Sequence, residues 1–174
     1  TDGLGNVFSC GRFSGTVDFD NGPAVFNLTS NGNMDIYVTK YSATGQFIWA
    51  IGMGGTGRDG AVALKANSAN EIIVTGYIRN TVDMDPGPSV YNLFGVSNAG
   101  VDPGFGGDLF LAKYTANGNF AWAFSVENQY WQNSGWGLAI DDADNIYLAA
   151  SNNATSSIPS DFDPGPGVVI LSGP

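Results

Sequence analysis

The chain repeats itself over a long period, and this repetition limits its fold more than any other feature. Three segments recur in register: 5–11 returns at 70–76 and 144–150, 35–41 returns at 108–114, and 45–50 returns at 118–123. The offset is 65 residues between Gly11 and Gly76, and it grows to 73 residues between Trp49 and Trp122. Such repetition indicates one supersecondary unit used several times, because a unit of this kind buries its apolar faces only against its neighbours.

Each unit reads as short β-strands joined by turns. Alternation and β-branched or aromatic residues predict strands over Val7–Phe13, Asp35–Tyr41, Phe47–Ile51, Ala61–Lys65, Ile72–Ile78, Asp108–Tyr114, Phe120–Phe124, Gly137–Asp141 and Ile146–Ala150. Tight turns at Gly45 and Gly118 suit antiparallel hairpins, and no capped helical period of ten residues occurs.

Four antiparallel strands at a fixed period are typical of a β-propeller blade. We therefore predict an all-β fold of propeller-like blades. In the complete blade the predicted order starts with Ala61–Lys65 as the innermost strand. It continues through Ile72–Ile78 and Asp108–Tyr114, and it ends with Phe120–Phe124 as the outermost strand.

The repeat boundaries divide the chain into three parts. Residues 1–66 form a first repeat that begins within a blade, residues 67–141 a second with an insertion at 94–107, and residues 142–174 a partial third. We expect the insertion to be a long surface loop or a contact to a neighbour. Two full repeats and a partial third cannot close a propeller, and open sheet edges invite association. The expected state is a fragment of a longer polypeptide or one subunit of an assembly.

Charge and residue usage exclude several classes of function. Sixteen acidic against six basic residues give a net charge of −10, which disfavours nucleic acid and anionic membranes as partners. No run of eighteen apolar residues occurs, so we expect no membrane insertion. Histidine is absent, which removes histidine-dependent nucleophilic catalysis and histidine metal sites. An enzyme would have to rely on carboxylates, Lys, Tyr or a metal, and we expect no catalysis.

Three motifs in register resemble those of a known family. They are Thr-Val-Asp-Met-Asp-Pro-Gly at 81–87, an Asp-strand-Lys-Tyr segment at 108–114 and Asn-Gly-Asn-Phe-Ala-Trp-Ala at 117–123. The pattern extends over essentially the whole chain. It resembles the bacterial seven-bladed β-propeller (SBBP) repeats, which are common in large secreted and cell-surface proteins of bacteria that use type IX secretion. The resemblance implies a propeller with an extracellular or cell-surface location, and it implies no particular activity.

The motif Asp-x-Asp-x-Gly-Pro occurs three times, with the acid pairs Asp18 and Asp20, Asp83 and Asp85, and Asp161 and Asp163. An extended backbone places both carboxylates of a pair on one side, and calcium binds carboxylate and carbonyl oxygens, so the motifs are candidate calcium sites. The alternative is turn chemistry, in which Asp accepts backbone N–H groups and Gly and Pro fix the turn, while Lys40 and Lys113 neutralise the acids. A catalytic carboxylate pair is a third interpretation, which the triplication across blades disfavours.

The repetition fails at residues 127–136, where aromatic and amide residues cluster. Tyr130, Trp131 and Trp136 can stack on a sugar ring, while Asn and Gln side chains hydrogen-bond its hydroxyls. Loops on a rigid scaffold often bind ligands. These three residues are candidate ligand-binding residues, and the alternative is a loop that folds onto its own propeller face.

These features predict a non-catalytic extracellular β-repeat module, the structural or interaction unit of a surface protein, adhesin or filament. Its expected partners are neighbouring repeats or identical subunits, and the one cofactor considered is calcium. The alternative function is a glycan- or ligand-binding propeller that uses the 130–136 loop. An enzyme that uses carboxylates is the third hypothesis.

Overall fold

A computed structural model of the chain describes residues 1–95, 107–126, 134–151, 160–163 and 169–171. Within these ranges the regular elements are all β-strands, and no helix has the length and apolarity needed to cross a membrane. The strands are β1 (Val7–Phe13), β2 (Thr16–Asp18), β3 (Asn27–Thr29), β4 (Asp35–Tyr41), β5 (Phe47–Gly55), β6 (Gly60–Ala66), β7 (Ile72–Ile78), β8 (Asn80–Asp83), β9 (Asn92–Gly95), β10 (Asp108–Tyr114), β11 (Phe120–Val126), β12 (Ser134–Ile140), β13 (Ile146–Ser151), β14 (Ser160–Asp161) and β15 (Ile170–Leu171). The predicted all-β class is confirmed.

The second blade consists of β6, β7, β10 and β11, and it has the predicted order. These strands lie side by side in that order in one antiparallel sheet. The pairing of β7 with β10 is continuous, from Ile72 with Tyr114 to Ile78 with Asp108. Every residue of β7 is buried, because this strand is central in its sheet and neighbouring blades cover both of its faces.

The first blade contributes β1, β4 and β5, and the third contributes β12 and β13. β1, β4 and β5 pair antiparallel in that order, as β7, β10 and β11 do in the second blade. β12 pairs antiparallel with β13 and so takes the place that β6 has beside β7. The described strands therefore belong to blades of one design, of which the second contains all four strands.

A short hairpin, which the sequence analysis did not predict as strands, lies between the second and third strand of each of the first two blades. It is β2 with β3 in the first blade and β8 with β9 in the second. The predicted loop at 94–107 begins within β9, and its residues 96–106 lie outside the described residues. β8 also pairs with β5 of the first blade at Gly54 and Gly55. The second hairpin therefore extends the first blade into a five-stranded sheet.

Two apolar clusters hold the blades face to face. One lies between the first and second blades, where Ile36 of β4 packs in a cluster with Ile72 and Phe110. The other lies between the second and third blades, where Ile73 packs in a cluster with Leu138 of β12. Successive side chains of a strand point to opposite faces, so neighbouring residues of β7 face different blades. Each blade thus buries its apolar faces against its neighbours, as the repetition predicts.

Candidate functional site

The first acidic motif is a turn that its own carboxylates stabilise at the end of the β2–β3 hairpin. Asp18 Oδ1 accepts the backbone N–H groups of Asp20 at 3.0 Å and of Phe26 at 2.9 Å. Asp20 Oδ1 accepts the N–H of Gly22 at 2.7 Å. The first carboxylate therefore bonds both sides of the hairpin, and the second bonds the turn between them.

The second acidic motif makes the same bonds with the same atoms. Asp83 Oδ1 accepts the N–H groups of Asp85 at 3.1 Å and of Tyr91 at 2.9 Å. Asp85 Oδ1 accepts the N–H of Gly87 at 2.8 Å. This is the turn chemistry that the sequence analysis gave as the alternative to calcium.

The third motif keeps the backbone bond that closes the hairpin. Phe162, which lies between Asp161 and Asp163, donates its N–H to the carbonyl oxygen of Val169 at 2.9 Å. The residue between the two acids makes the matching bond in the first and second motifs, at 3.0 and 2.9 Å. The hairpin end therefore recurs in the third repeat.

A tyrosine fixes each of the first two acidic hairpins to its blade. The Tyr114 hydroxyl donates to the carbonyl oxygen of Met84 at 3.0 Å, and the Tyr41 hydroxyl donates to that of Phe19 at 3.1 Å. Tyr114 is fully buried, and burial raises the pKa of its hydroxyl above the usual range. The hydroxyl therefore stays protonated and remains a donor. The acidic motif and the Lys-Tyr motif, which the sequence shows separately, meet here.

The calcium role of the acidic motifs stays a prediction. Among the residues that the structure describes, no three His, Cys, Asp or Glu side chains gather in the way a metal centre needs. The first two motifs each supply two carboxylates, and one oxygen of each carboxylate already accepts backbone N–H groups. Calcium takes six to eight oxygens, so carbonyl groups and water would have to supply most of its ligands.

The two recurring lysines, Lys40 and Lys113, form ion pairs with acids outside the Asp-x-Asp motifs. The suggestion from the sequence that they neutralise the acids of these motifs is therefore wrong. Lys40 Nζ lies 3.2 Å from Asp2 Oδ2, and Lys113 forms an ion pair with Glu71. Burial raises the pKa of Asp2, but hydrogen bonds from Asn6 and Lys40 outweigh this effect and hold the pKa at about 2. The lysines therefore tie the third strand of their blade to the turn that precedes the second strand.

That turn recurs in all three blades, and the sequence analysis did not single out its first residue. It starts at Asp2, Asn67 and Asp141. In each copy the Oδ1 of this first residue accepts the N–H groups two and four residues further on, at 2.8 to 3.1 Å. The fourth residue is left-handed, with φ of 77° at Gly5, 60° at Asn70 and 61° at Asp144. The signal in the sequence is Asp or Asn at matching positions, followed three residues later by a residue that tolerates positive φ.

Neighbouring turns also hydrogen-bond to one another across the blade boundaries. The N–H of Gly3 donates to Asn70 Oδ1 at 3.2 Å. At the next boundary the N–H of Ser68 donates to Asp144 Oδ1 at 3.0 Å, and its hydroxyl donates to Oδ2 at 2.5 Å. Both bonds join the second residue of one turn to the fourth residue of the next. We call this series of bonds the turn ladder.

Trp136 lies on a strand, and not on the loop that the sequence analysis assigned to it. It occupies a bulge in β12 between Gly135 and Gly137, is 64% exposed, and donates its indole N–H to Ser151 Oγ at 3.1 Å. Val62 occupies the matching bulge of β6 and is also exposed. The predicted partners of Trp136 in a binding loop, Tyr130 and Trp131, lie outside the described residues.

Comparison with known proteins gives two similarities, and no family model matches the chain. Over 157 residues, 85% of the chain, it is 26% identical to an uncharacterized WD repeat-containing protein of Acanthamoeba polyphaga mimivirus. Over 93 residues, 53% of the chain, it is 34% identical to the regulatory protein FlaEY of Caulobacter vibrioides. The matched regions span 11% and 8% of these relatives. Together with the blades, the first similarity describes the chain as a β-repeat module.

Proposed function

We propose that this chain is a non-catalytic interaction module, a set of β-blades that docks onto neighbouring blades within a larger assembly. The turn ladder is the observation that carries the proposal. The same two turn positions hydrogen-bond across both described blade boundaries. The recurring acids, lysines and tyrosines of the described blades likewise serve contacts within the fold. The similarity to a WD repeat-containing protein supports a repeat module.

The finer proposal is a structural or interaction unit of an extracellular surface protein, an adhesin or a filament. The resemblance of the repeated motifs to SBBP repeats supports this location. Neighbouring repeats or identical subunits are the proposed partners, because the blades of this chain bury their apolar faces against one another in the two apolar clusters. The net charge of −10 argues against nucleic acid as a partner.

Intact mass and electron microscopy of native material test this proposal together. We expect discrete rings or a polymer, with this sequence in a particle well above the chain's own 18.1 kDa. Chemical cross-linking should then join lysines of different repeats or subunits. A single 18.1 kDa species with no intermolecular cross-link at native concentration would contradict the proposal.

Glycan or ligand binding is the second candidate, and the exposure of Trp136 favours it. A tryptophan that is 64% exposed on the first strand of a blade offers a flat stacking surface for a sugar ring. A glycan array probed with the full chain is the test, and Trp136→Ala should abolish any signal. Tyr147→Ala is the matched control, since Tyr147 is 57% exposed on the neighbouring strand. Equal binding by both variants would reject a site at Trp136.

A further inference from the structure

Two acids meet where the first and second blades join. Asp35 opens β4, and Asp59 precedes β6. Met34 and Arg58, the residues before them, form a parallel bridge. The Met34 N–H donates to Gly57 O at 3.3 Å, and the Asp59 N–H donates to Met34 O at 2.8 Å.

The bridge places the two acids side by side. The side chains of two residues that pair on neighbouring parallel segments point to the same side of the backbone. The side chains of the next pair of residues along the segments point to the opposite side. Arg58 Nη2 lies 3.8 Å from Met34 Sδ, so the bridged pair shares one side. Asp35 and Asp59 therefore share the other side, on backbones about 5 Å apart.

Both carboxyl groups are buried, and one oxygen has no hydrogen-bond partner. Asp35 is 2% exposed and Asp59 is 0% exposed. The two oxygens of Asp59 accept the N–H groups of Gly55 at 3.1 Å and Arg79 at 2.8 Å. Asp35 Oδ2 accepts the N–H of Asn31 at 2.8 Å, while its Oδ1 is buried and unpartnered.

Gly54 makes room for this arrangement. A Cβ at this position would lie 2.1 Å from Asp35 Cγ, so the carboxyl group rests directly on the backbone of β5. Charged groups on the surrounding elements are Arg12 on β1, Arg58 on the loop of Asp59, Arg79 after β7, Asp83 on β8 and Asp108 on β10. The charge of Arg79 lowers the pKa of Asp59, and that of Asp35 raises it.

We propose that Asp35 and Asp59 form a carboxyl pair that holds one proton across the junction of the first two blades, so that pH controls the strength of this junction. Two adjacent buried carboxylates cannot both ionise without a large penalty, and such a pair titrates as a unit. The carboxyl group of Asp59 holds the backbone N–H groups of Gly55 and Arg79 by hydrogen bonds, and that of Asp35 holds the N–H of Asn31. A second negative charge here therefore acts on the contacts that join the blades.

The direction of the pH effect follows from the protonation of the folded and unfolded states. Burial raises the pKa of Asp59 to about 7 from 3.8, and it also raises the pKa of Asp35. Between pH 3.8 and about pH 7 the folded chain therefore binds more protons than the unfolded chain. The free energy of unfolding therefore falls as pH rises through this window and levels off above it.

Thermal unfolding of the full chain at pH 5 and pH 8 tests the proposal. We expect wild type to melt lower at pH 8, and Asp35→Asn to raise the melting temperature at pH 8 and reduce the difference between the two pH values. Asparagine resembles the protonated acid and keeps an oxygen for the Asn31 N–H. Asp142→Asn, at an exposed acid of the third turn, changes the net charge equally and should keep the wild-type difference. The same difference in both variants would overturn the proposal.

Carbon-13 NMR of the carboxyl groups gives a second readout that does not depend on stability. One Asp should titrate far above the others in wild type, and the remaining acid should titrate lower in Asp35→Asn because the like charge is gone. The last measurement is thermal unfolding at pH 8 with added calcium. An increase in wild-type melting temperature that Asp35→Asn abolishes would mean that the pair binds a cation, which would overturn the single-proton proposal.

Discussion

The two acidic hairpins have the same turn and different surroundings. In both, the first acid accepts two backbone N–H groups and the second accepts one. β8 of the second hairpin pairs on its other edge with β5 of the first blade, and its Val82 is fully buried. β2 of the first hairpin pairs, among the described strands, with β3, and its Val17 is only half-buried.

The difference separates what the hairpin forms by itself from what a preceding blade adds. The carboxylate bonds span at most eight residues, so they are local and appear in both copies. Burial of the hairpin edge needs a strand from the preceding blade, and only the second hairpin has one within the described residues. The acidic motif is therefore a local turn, which in the second hairpin lies where two consecutive blades meet.

The largest expected effect comes from blocking the strand pairing that distinguishes the two hairpins. Gly55 pairs with Val82, and a Cβ at Gly55 would lie 1.9 Å from the carbonyl oxygen of Thr81. Gly55→Ala should therefore lower the free energy of unfolding by roughly 2–3 kcal/mol, measured by urea unfolding. Gly52→Ala on the same strand is the control, because its Cβ would meet neighbours at 3.5 to 3.7 Å. Equal losses in both variants would contradict the importance of the β5–β8 pairing.

The next prediction compares the valines at matching positions of the two hairpins. Val82→Ala removes two methyl groups from a fully buried site and should cost about 2 kcal/mol of unfolding free energy. Val17→Ala removes them from a half-buried site and should cost about 1 kcal/mol or less. Equal losses would mean that the preceding blade does not bury the second hairpin more than the first.

The long strands could be predicted from the sequence, whereas the short hairpin strands could not. β1, β4, β7 and β10 have the predicted bounds, because local patterns specify them: alternation in β4 and β10, and runs of β-branched or aromatic residues in β1 and β7. β2, β3, β8 and β9 contain three or four residues each, and β8 owes its burial to a strand about thirty residues away in the sequence. β12 starts three residues earlier than predicted, which moves Trp136 from a loop to a strand.

The carboxyl pair at the blade junction could not be found from the sequence for a similar reason. Asp35 reads as the polar residue that opens a strand, and Asp59 reads as a loop acid. They become neighbours because Met34 pairs with Arg58 in a β-bridge. This bridge joins separate segments, and no local sequence pattern predicts it. The recurring Asp35 and Asp108 did signal that the position matters, and both are buried.

The local turn should respond equally in the two hairpins, with a smaller effect. Asp83→Ala and Asp18→Ala each remove the acceptor of two backbone N–H groups and should each cost about 1–2 kcal/mol. Thermal unfolding with and without a chelator tests the calcium prediction on the same samples. The turn interpretation expects no change on chelation. A wild-type melting temperature that falls in chelator, and falls less in each variant, would favour bound calcium.

The smallest effect concerns the turn ladder, whose hydrogen bonds at the two blade boundaries we call its links. The acceptor of the first link is a neutral amide, and the acceptor of the second is a charged carboxylate. Asn70 accepts from Gly3 at the first boundary, while Asp144 accepts from Ser68 at the second. Hydrogen bonds from Ser68 lower the pKa of Asp144 below 3.8. The contribution of Asp144 is therefore complete above that value and lost as pH falls through the lowered pKa.

Amide hydrogen exchange across this pH range should show the contrast between the two links. Protection of the Ser68 N–H should decrease in acid relative to that of the Gly3 N–H, after correction for intrinsic exchange rates, because only its acceptor becomes protonated. Asp144→Asn gives the second link the neutral acceptor of the first, so it should remove the acid sensitivity while keeping the hydrogen bond to the backbone. A parallel decrease at both links would mean that acid opens the blades as a whole and that the charged link has no role of its own.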